Sequence, residues 1–442
     1  MRILFLVLGC SKNQVEAETL ASLFANKGYE IVDSYQNADC VIIHTCAFIS
    51  TAREEAEWHI RKVLEYKKTG SCRKVVVTGC WVQYHTEDVE KIFPEVDHFV
   101  GTAELHKLEK ILSQTDKCLQ QKHVSRSGGG YLDLPLGYKR MLPKGEYSAF
   151  IRLAEGCNHG CSFCVIPQLR GKYRSRSIKS IVNEVRILSS YGVKEINLIS
   201  QNTTYYGLDL YNKLMLTRLI EKLENIEGIK WIRLLYTHPM YINSELLKLM
   251  NESDKLCKYL DMPVQHVNDR LLKLMRRGMG TKKLLEIIGR IRNTVPEIVL
   301  RTTLIAGFPT ETRKEFRELS DFVKEIKFNH LGAFEYSDEP STLSYKLKER
   351  VPPLEKTLRV ETLFSIQKRV VSDYMKKRLG TISEVLITGL NQKHAVGRSC
   401  YEAPEVDGNV IINTLAVKPG DIVKVRYIGY REYDIIAELV KE

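Results

Sequence analysis

From Ile3 to about Val100, apolar runs alternate with helical stretches: Ile3–Leu8, a helix over Gln14–Asn26, Cys40–His44, a helix over Thr51–Lys67, and Lys74–Thr78. Short unbroken apolar runs alternating with helices predict a parallel sheet with helices packed on its faces. Each run is followed closely by a cysteine: Cys10, Cys46 and Cys80. The carboxyl ends of parallel strands share one edge, so the three thiols are expected to converge there, although about 35 residues separate each from the next.

The Ser125-Arg126-Ser127-Gly128-Gly129-Gly130 stretch cannot pack a core and reads as a linker. Beyond it come six strand-like runs alternating with helices, near Phe150–Ala154, Glu195–Ser200, Trp231–Tyr236, Tyr259–Val264, Ile298–Ile305 and His330–Tyr336. That number suits an open, partial (βα)6 barrel, since a closed eight-stranded barrel needs two more units. After a helical stretch at about Leu354–Leu379, five short alternating runs broken by Gly and Pro (Ser383–Thr388, Ala395–Gly397, Val410–Asn413, Ile422–Ile428, Asp434–Leu439) predict a small antiparallel β-barrel of the OB type. The expected class is α/β, with a parallel-sheet domain over 1–125, a linker over 126–142, the partial barrel over 143–379 and the β-barrel over 380–442.

Length and composition agree with this division. The chain has 442 residues, room for roughly three domains of about 150. Its formal charge of +12 points to an anionic partner such as RNA or a ribosome, the alternative being a basic, solvated surface. No apolar run approaches the ~20 residues of a membrane-spanning helix. The opening Arg2–Cys10 segment superficially resembles a lipoprotein signal, but its apolar stretch is short and its n-region almost absent, so it reads as a buried first strand of a cytoplasmic protein. Eleven cysteines, an odd number in a large chain, argue against a disulfide scaffold and for metal binding or reduced thiols.

The strongest chemical pattern is Cys157-Asn158-His159-Gly160-Cys161-Ser162-Phe163-Cys164, directly after the first strand of the predicted barrel. Three thiolates on one tight loop can hold three irons of a 4Fe-4S cluster and leave the fourth open. S-adenosyl-L-methionine (SAM) can chelate that open iron through its amino and carboxylate groups, and one electron then cleaves its carbon–sulfur bond to a 5′-deoxyadenosyl radical. A structural zinc site is the alternative; it needs a fourth ligand, for which His159 is the neighbouring candidate at a strained spacing, and no second Cys-x2-Cys lies nearby.

The triplet, with Phe163 before its last cysteine, resembles that of the radical SAM superfamily, and nearly the whole chain resembles the methylthiotransferases within it. That resemblance implies an N-terminal cluster domain, a radical SAM barrel and a C-terminal TRAM β-domain. It also implies a second 4Fe-4S cluster on three N-terminal cysteines, matched here by Leu8-Gly9-Cys10-Ser11-Lys12-Asn13, His44-Thr45-Cys46-Ala47-Phe48 and Thr78-Gly79-Cys80. Cys40, Cys72, Cys118, Cys257 and Cys400 have no such partners and read as structural. Polar residues after the barrel strands are the natural SAM contacts. The candidates are Phe163, Gln201, Gln265 with His266, Arg301 and Gly307, where Arg301 either pairs the SAM carboxylate or braces the barrel, and Gly307 either admits the ligand or makes a turn before Pro309. A flavodoxin- or ferredoxin-type electron donor is implied.

Two branches of the family differ in substrate: one (MiaB-like) modifies an adenosine beside the tRNA anticodon, the other (RimO-like) the β-carbon of an aspartate in ribosomal small-subunit protein twelve. Between Thr381 and Glu442 lie seven basic and nine acidic residues, net −2 against +14 for the other 380, which is the reverse of a phosphate-gripping module. An acidic barrel suits a basic protein partner. Gly9–Asn13, Gln201–Gly207, Pro263–His266 and Glu402–Gly408 also resemble the RimO branch, so the ribosomal protein is the expected substrate and tRNA the alternative. A non-catalytic iron–sulfur RNA-binding protein is a third reading, distinguished by its failure to cleave SAM.

Overall fold

The computed structural model describes residues 1–47, 49–70, 72–113, 121–124, 139–143 and 145–440. The chain divides into two compact units, the first Met1–Leu142 with Arg152–His159 and Cys164–Ile187, the second Pro143–Ile151, Gly160–Phe163 and Leu188–Glu442.

In the first unit, strands β1 (Arg2–Val7), β2 (Glu30–Val32), β3 (Cys40–Thr45), β4 (Lys74–Gly79), β5 (His98–Gly101) and β6 (Gln121–His123) form one sheet in the order β2-β1-β3-β4-β5-β6. Every pairing in it is parallel. Successive side chains alternate between the two faces, which is why the central strands are apolar throughout. Val41, Ile43, Val75 and Val77 pack on helices α2 (Ser50–Thr69) and α3 (Cys80–Ile92), while Cys40, Ile42 and Val76 face Leu20 and Phe24 of helix α1 (Ser11–Asn26). Each such buried aliphatic side chain contributes about 1.5–3 kcal/mol. Strands β2, β5 and β6, of three or four residues each, were not expected from the sequence.

The Ser125–Gly130 stretch and Cys118 lie outside the described residues. The end of the segment expected to be a linker is firmly anchored, however. The Arg140 side chain is fully buried, with Nε 2.9 Å from Glu18 and Nη1 2.6 Å from Glu184, and Ser22 donates to the Lys139 carbonyl. A short antiparallel pair, β8 (Ala154–Glu155) with β9 (Arg174–Ser175), completes this unit.

In the second unit, β7 (Ser148–Arg152), β10 (Glu195–Ile199), β11 (Trp231–Leu234), β12 (Leu256–Asp261), β13 (Val299–Ala306) and β14 (His330–Glu335) make the six-stranded sheet of the predicted partial barrel, in order β14-β13-β12-β11-β10-β7. The C-terminal strands β15 (Ile382–Leu390), β16 (Ala395–Arg398), β17 (Val410–Ile412), β18 (Ile422–Arg431) and β19 (Asp434–Leu439) close a barrel, antiparallel except for β17 against β19. Val371 and Met375 of the helix Pro353–Arg378 enter its core beside Val385, Val410 and Tyr427.

A buried ionic joint ties this barrel to the amino-terminal halves of the parallel strands. Glu195, at the start of β10, accepts from Arg233 of β11 at 2.9 Å and from Arg398 at 2.7 Å, all within the core. Asp407 accepts from the Tyr259 hydroxyl at 2.6 Å and lies 3.3 Å from Arg301 and 3.2 Å from His330. Glu402 is likewise buried, paired with Arg378 at 2.6 Å. Three charges that entered the sequence-level tally for the barrel, Arg398, Glu402 and Asp407, are therefore neutralised internally. The charges left facing solvent, among them Lys393, Lys418, Lys424, Arg426 and Arg431 against Glu384, Glu405, Asp421, Glu432, Asp434 and Glu438, nearly balance.

Candidate functional site

The carboxyl edge of the first unit's sheet gathers the three N-terminal cysteines. Register aligns Val7 with His44 and Thr45 with Gly79, so β1, β3 and β4 end side by side. Cys10 then caps α1, its carbonyl accepting from the N–H groups of Asn13 and Gln14, and Cys80 opens α3. A Cβ added to Gly9 would lie 3.2 Å from Cys46 Sγ, which places the β1 turn directly on that thiol. Gly79 has φ +102, and a Cβ there would meet the Thr45 carbonyl oxygen at 2.4 Å, so only glycine lets β4 turn beside β3 and present Cys80.

A buried polar network lies against these thiols. Asn13 Nδ2 donates to the Leu8 carbonyl (2.7 Å) and the Thr45 carbonyl (3.2 Å), joining the ends of β1 and β3. The Thr45 hydroxyl donates to the Thr78 carbonyl at 2.7 Å, joining β3 to β4. Arg170, from the helix Ile166–Arg170, donates from Nη2 to Asn13 Oδ1 (3.0 Å) and Cys80 Sγ (3.2 Å), and from Nη1 to Glu16. Glu16 also accepts from Arg152 at 3.0 Å and meets His44 Nε2 at 2.9 Å. Burial alone would raise the Glu16 carboxyl, but Arg170, His44 and Arg152 hold it well below the usual carboxylate range. Burial pushes the Cys80 thiol up to about 12, Arg170 opposing this and the neighbouring Cys46 and Cys10 thiols adding to it. Asn13 and His44 lie in the motifs around Cys10 and Cys46, whereas nothing in the sequence distinguishes Arg170, Glu16 or Arg152.

The triplet loop is tied within each unit separately. In the first, the β8–β9 pair closes the loop's base, Cys157 N–H donates to the Gly171 carbonyl at 3.1 Å, Asn158 Oδ1 accepts from Tyr173 N–H at 3.0 Å, and Cys157 Sγ accepts from His159 N–H at 3.4 Å. In the second, Ser162 N–H donates to the Met275 carbonyl and its own carbonyl accepts from Ser344 N–H, while Cys161 Sγ lies 3.5 Å from Arg277 Nη1. All three thiols are partly exposed.

The SAM candidates separate into two groups. Gln201 follows β10, Gln265 follows β12 and Gly307 follows β13, so the three share the carboxyl edge opposite the C-terminal barrel. Gln265 adopts φ 72 and is pinned between the Thr303 carbonyl and the Ile305 N–H. Phe163 packs on Leu271, Met275, Phe308 and Tyr336. A Cβ at Gly307 would fall 2.4 Å from Lys356 Cγ, and the Gly307 and Phe308 N–H groups donate to Glu311, so the turn already accounts for this glycine. Arg301 lies 3.3 Å from Asp407 and 3.7 Å from Asp261. His266 is fully buried; its Nδ1 accepts from Asn268 N–H and its Nε2 lies 3.8 Å from Glu311.

The donor sets fit iron–sulfur clusters. All six candidate ligands are thiols, the N-terminal three are gathered on one sheet edge, and Cys80, Cys157 and Cys161 each receive an N–H on sulfur, the kind of contact that tunes cluster thiolates. Among the described residues no group of three or more His, Cys, Asp or Glu side chains is gathered tightly enough for a single metal ion. A four-iron cluster instead takes its thiolates at separate corners. Cys40, Cys72 and Cys257 are buried, Cys400 partly so, and burial raises each of these thiols.

Family models match residues 151–323 (radical SAM superfamily), 2–101 (uncharacterized protein family UPF0004) and 379–440 (TRAM domain). Curated relatives named ribosomal protein uS12 methylthiotransferase RimO include one from Clostridioides difficile, 38% identical over 98% of each chain, and one from Caldanaerobacter subterraneus, 40% identical over 98% of each. Among solved structures, the radical SAM methyltransferase TsrM from Kitasatospora setae shares the fold, with TM-score 0.55 at 15% identity over 78% of this chain and 77% of that one. No helix among the described residues is long and apolar enough to cross a membrane.

Proposed function

This chain belongs to the RimO family of radical SAM methylthiotransferases, and on that premise we propose that it adds a methylthio group to the β-carbon of an aspartate in ribosomal protein uS12. The observation that carries the reading is the meeting of Cys10, Cys46 and Cys80 on one sheet edge in a chain that also has the full Cys157/Cys161/Cys164 triplet.

Cys157, Cys161 and Cys164 would hold three irons of one 4Fe-4S cluster, and Cys10, Cys46 and Cys80 would hold a second. When bound, the first cluster with SAM supplies the adenosyl radical that takes the substrate hydrogen, and the second supplies sulfur for methylation and transfer. Within the protein, Arg277 offers an N–H toward Cys161 and spends its other nitrogen on the Pro263 carbonyl at 2.8 Å, so the guanidinium is fixed beside that ligand. Phe163 packs with Met275 and Phe308 on this side, placing apolar surface beside a site whose radical chemistry is protected by keeping water out. Gln201 and Gln265 offer amide groups at the carboxyl edge, where SAM's polar ends need partners. A ribosomal substrate places the enzyme in the cytoplasm, with a flavodoxin- or ferredoxin-type protein as electron donor.

The test is anaerobic reconstitution with iron, sulfide, SAM and reductant, followed by mass spectrometry of uS12 and of tRNA. The mass of methylthio replacing hydrogen on a uS12 aspartate is the expected result. The same gain on tRNA keeps the chemistry and overturns the substrate, and no SAM cleavage overturns the enzyme.

A further inference from the structure

The polar network beside Cys80 exceeds what an ordinary helix packing requires. Arg170 is buried, and a buried guanidinium is costly unless each face of its fork finds a partner. Its partners are specific: Glu16 takes Nη1, with Glu155 at 3.6 Å from the same nitrogen, while Nη2 is divided between Asn13 and the Cys80 sulfur. Asn13 in turn holds the carbonyls that precede Cys10 and Cys46. Two side chains therefore touch all three strand ends that carry the N-terminal thiols, and one of them comes from the segment just after the radical SAM triplet, six residues past Cys164.

We propose that Arg170 is the positioning residue of the N-terminal centre, holding the Cys80 ligand through an N–H···S bond, orienting Asn13 over the other two strand ends, and placing one positive charge beside that centre. The proposal rests on the reading that these thiols hold a cluster. A cationic donor on a ligand sulfur stabilises the more negative, reduced form of a cluster and so raises its potential. Glu16 works in the opposite sense, since its carboxylate offsets the Arg170 charge. The network thus makes a signed prediction that simple packing does not.

The experiment uses the full chain with Cys157, Cys161 and Cys164 replaced by Ala, so that the N-terminal centre alone carries iron, and reads its midpoint potential by an EPR-monitored redox titration and its iron loss to a chelator. Arg170→Gln is expected to lower the potential and speed iron loss about 10-fold or more, the usual consequence of removing an outer partner of a metal ligand. Glu16→Gln is expected to raise the potential. Arg170→Lys keeps the charge and the Glu16 pair but loses the fork, and is expected to hold the potential near the parent's while still losing iron faster. Potentials that move the same way in Arg170→Gln and Glu16→Gln, or that stay at the parent value with iron loss unchanged, overturn the proposal. Should Arg170→Gln fail to fold, Arg170→Lys and Glu16→Gln decide it, because parent-like values in both leave Arg170 a structural ion-pair partner only. A parent chain that binds no iron overturns the ligand assignment under the proposed function, and this inference with it.

Discussion

Cys157, Cys161 and Cys164 fall within eight residues of one loop, whereas Cys10, Cys46 and Cys80 arrive from three strands of a parallel sheet. The loop-borne set depends on local hydrogen bonds, such as Cys157 N–H to Gly171 and Tyr173 N–H to Asn158. The strand-borne set depends on register, on a glycine that lets β4 turn against β3, and on a buried guanidinium from elsewhere in the chain. A centre assembled from distant strands has more ways to be lost without any ligand being touched.

Four perturbations test that contrast. The largest effect is expected from Cys161→Ala, which should abolish SAM cleavage and methylthio transfer together, measured as 5′-deoxyadenosine formed and as product mass; continued cleavage would mean that the triplet is not the radical-forming centre. Next, Cys80→Ala should eliminate the methylthio product while leaving 5′-deoxyadenosine formation intact, so that the two centres separate by function as they do by construction.

A third variant loosens the second unit far from its carboxyl edge. Glu195→Gln strands Arg233 and Arg398 in the core and should cost about 3–5 kcal/mol in denaturant unfolding, yet leave the iron content of both centres unchanged below the melting temperature. The same joint has a signed pH dependence. Burial would raise the Glu195 carboxyl, but Arg398 and Arg233 hold it at about 2 against an ordinary 4.5, so its contribution is complete above about 4.5 and is lost as the pH falls towards 2. In acid unfolding, Glu195→Gln should therefore flatten the loss of stability over that window.

The smallest stability effect, and the most pointed, is Gly79→Ala. A non-glycine residue at φ +102, pressed on the Thr45 carbonyl, should cost about 1–3 kcal/mol and lower iron at the N-terminal centre, measured in the chain lacking the triplet thiols. Undiminished iron there would show that the strand-borne centre tolerates a shift of its backbone and that the contrast is overstated.

Much of this was legible in the chain. The strand runs at Cys40–His44 and Lys74–Thr78, the six barrel strands and the five C-terminal ones all fall on observed strands: the longer runs carry a period, and the short C-terminal ones are set off by the Gly and Pro around them. Strands β2, β5 and β6 have only three or four residues and no repeating series of such runs to mark them. Of the SAM candidates, Gln201, Gln265 and Gly307 share the expected edge, while Arg301 turned out to be engaged with Asp407, a partner 106 positions away that no local pattern announces. The net −2 of the C-terminal segment includes Arg398, Glu402 and Asp407, whose burial against partners no local pattern announces: sequence counts charges, and burial decides which of them face solvent.

By itself the sequence determined the triplet and its chemistry, since Cys-x3-Cys-x2-Cys spacing is a property of one loop. It also determined that Cys10, Cys46 and Cys80 would meet, since parallel strands end on a common edge. Only the tertiary structure decided what surrounds them: that Arg170 and Asn13 reach the three strand ends, that Glu16 balances Arg170, and that Glu195 and Asp407 join the C-terminal barrel to the parallel sheet. The physical reason is that a buried charge is tolerated only beside its partner, and the partner's distance along the chain is not constrained by any local period.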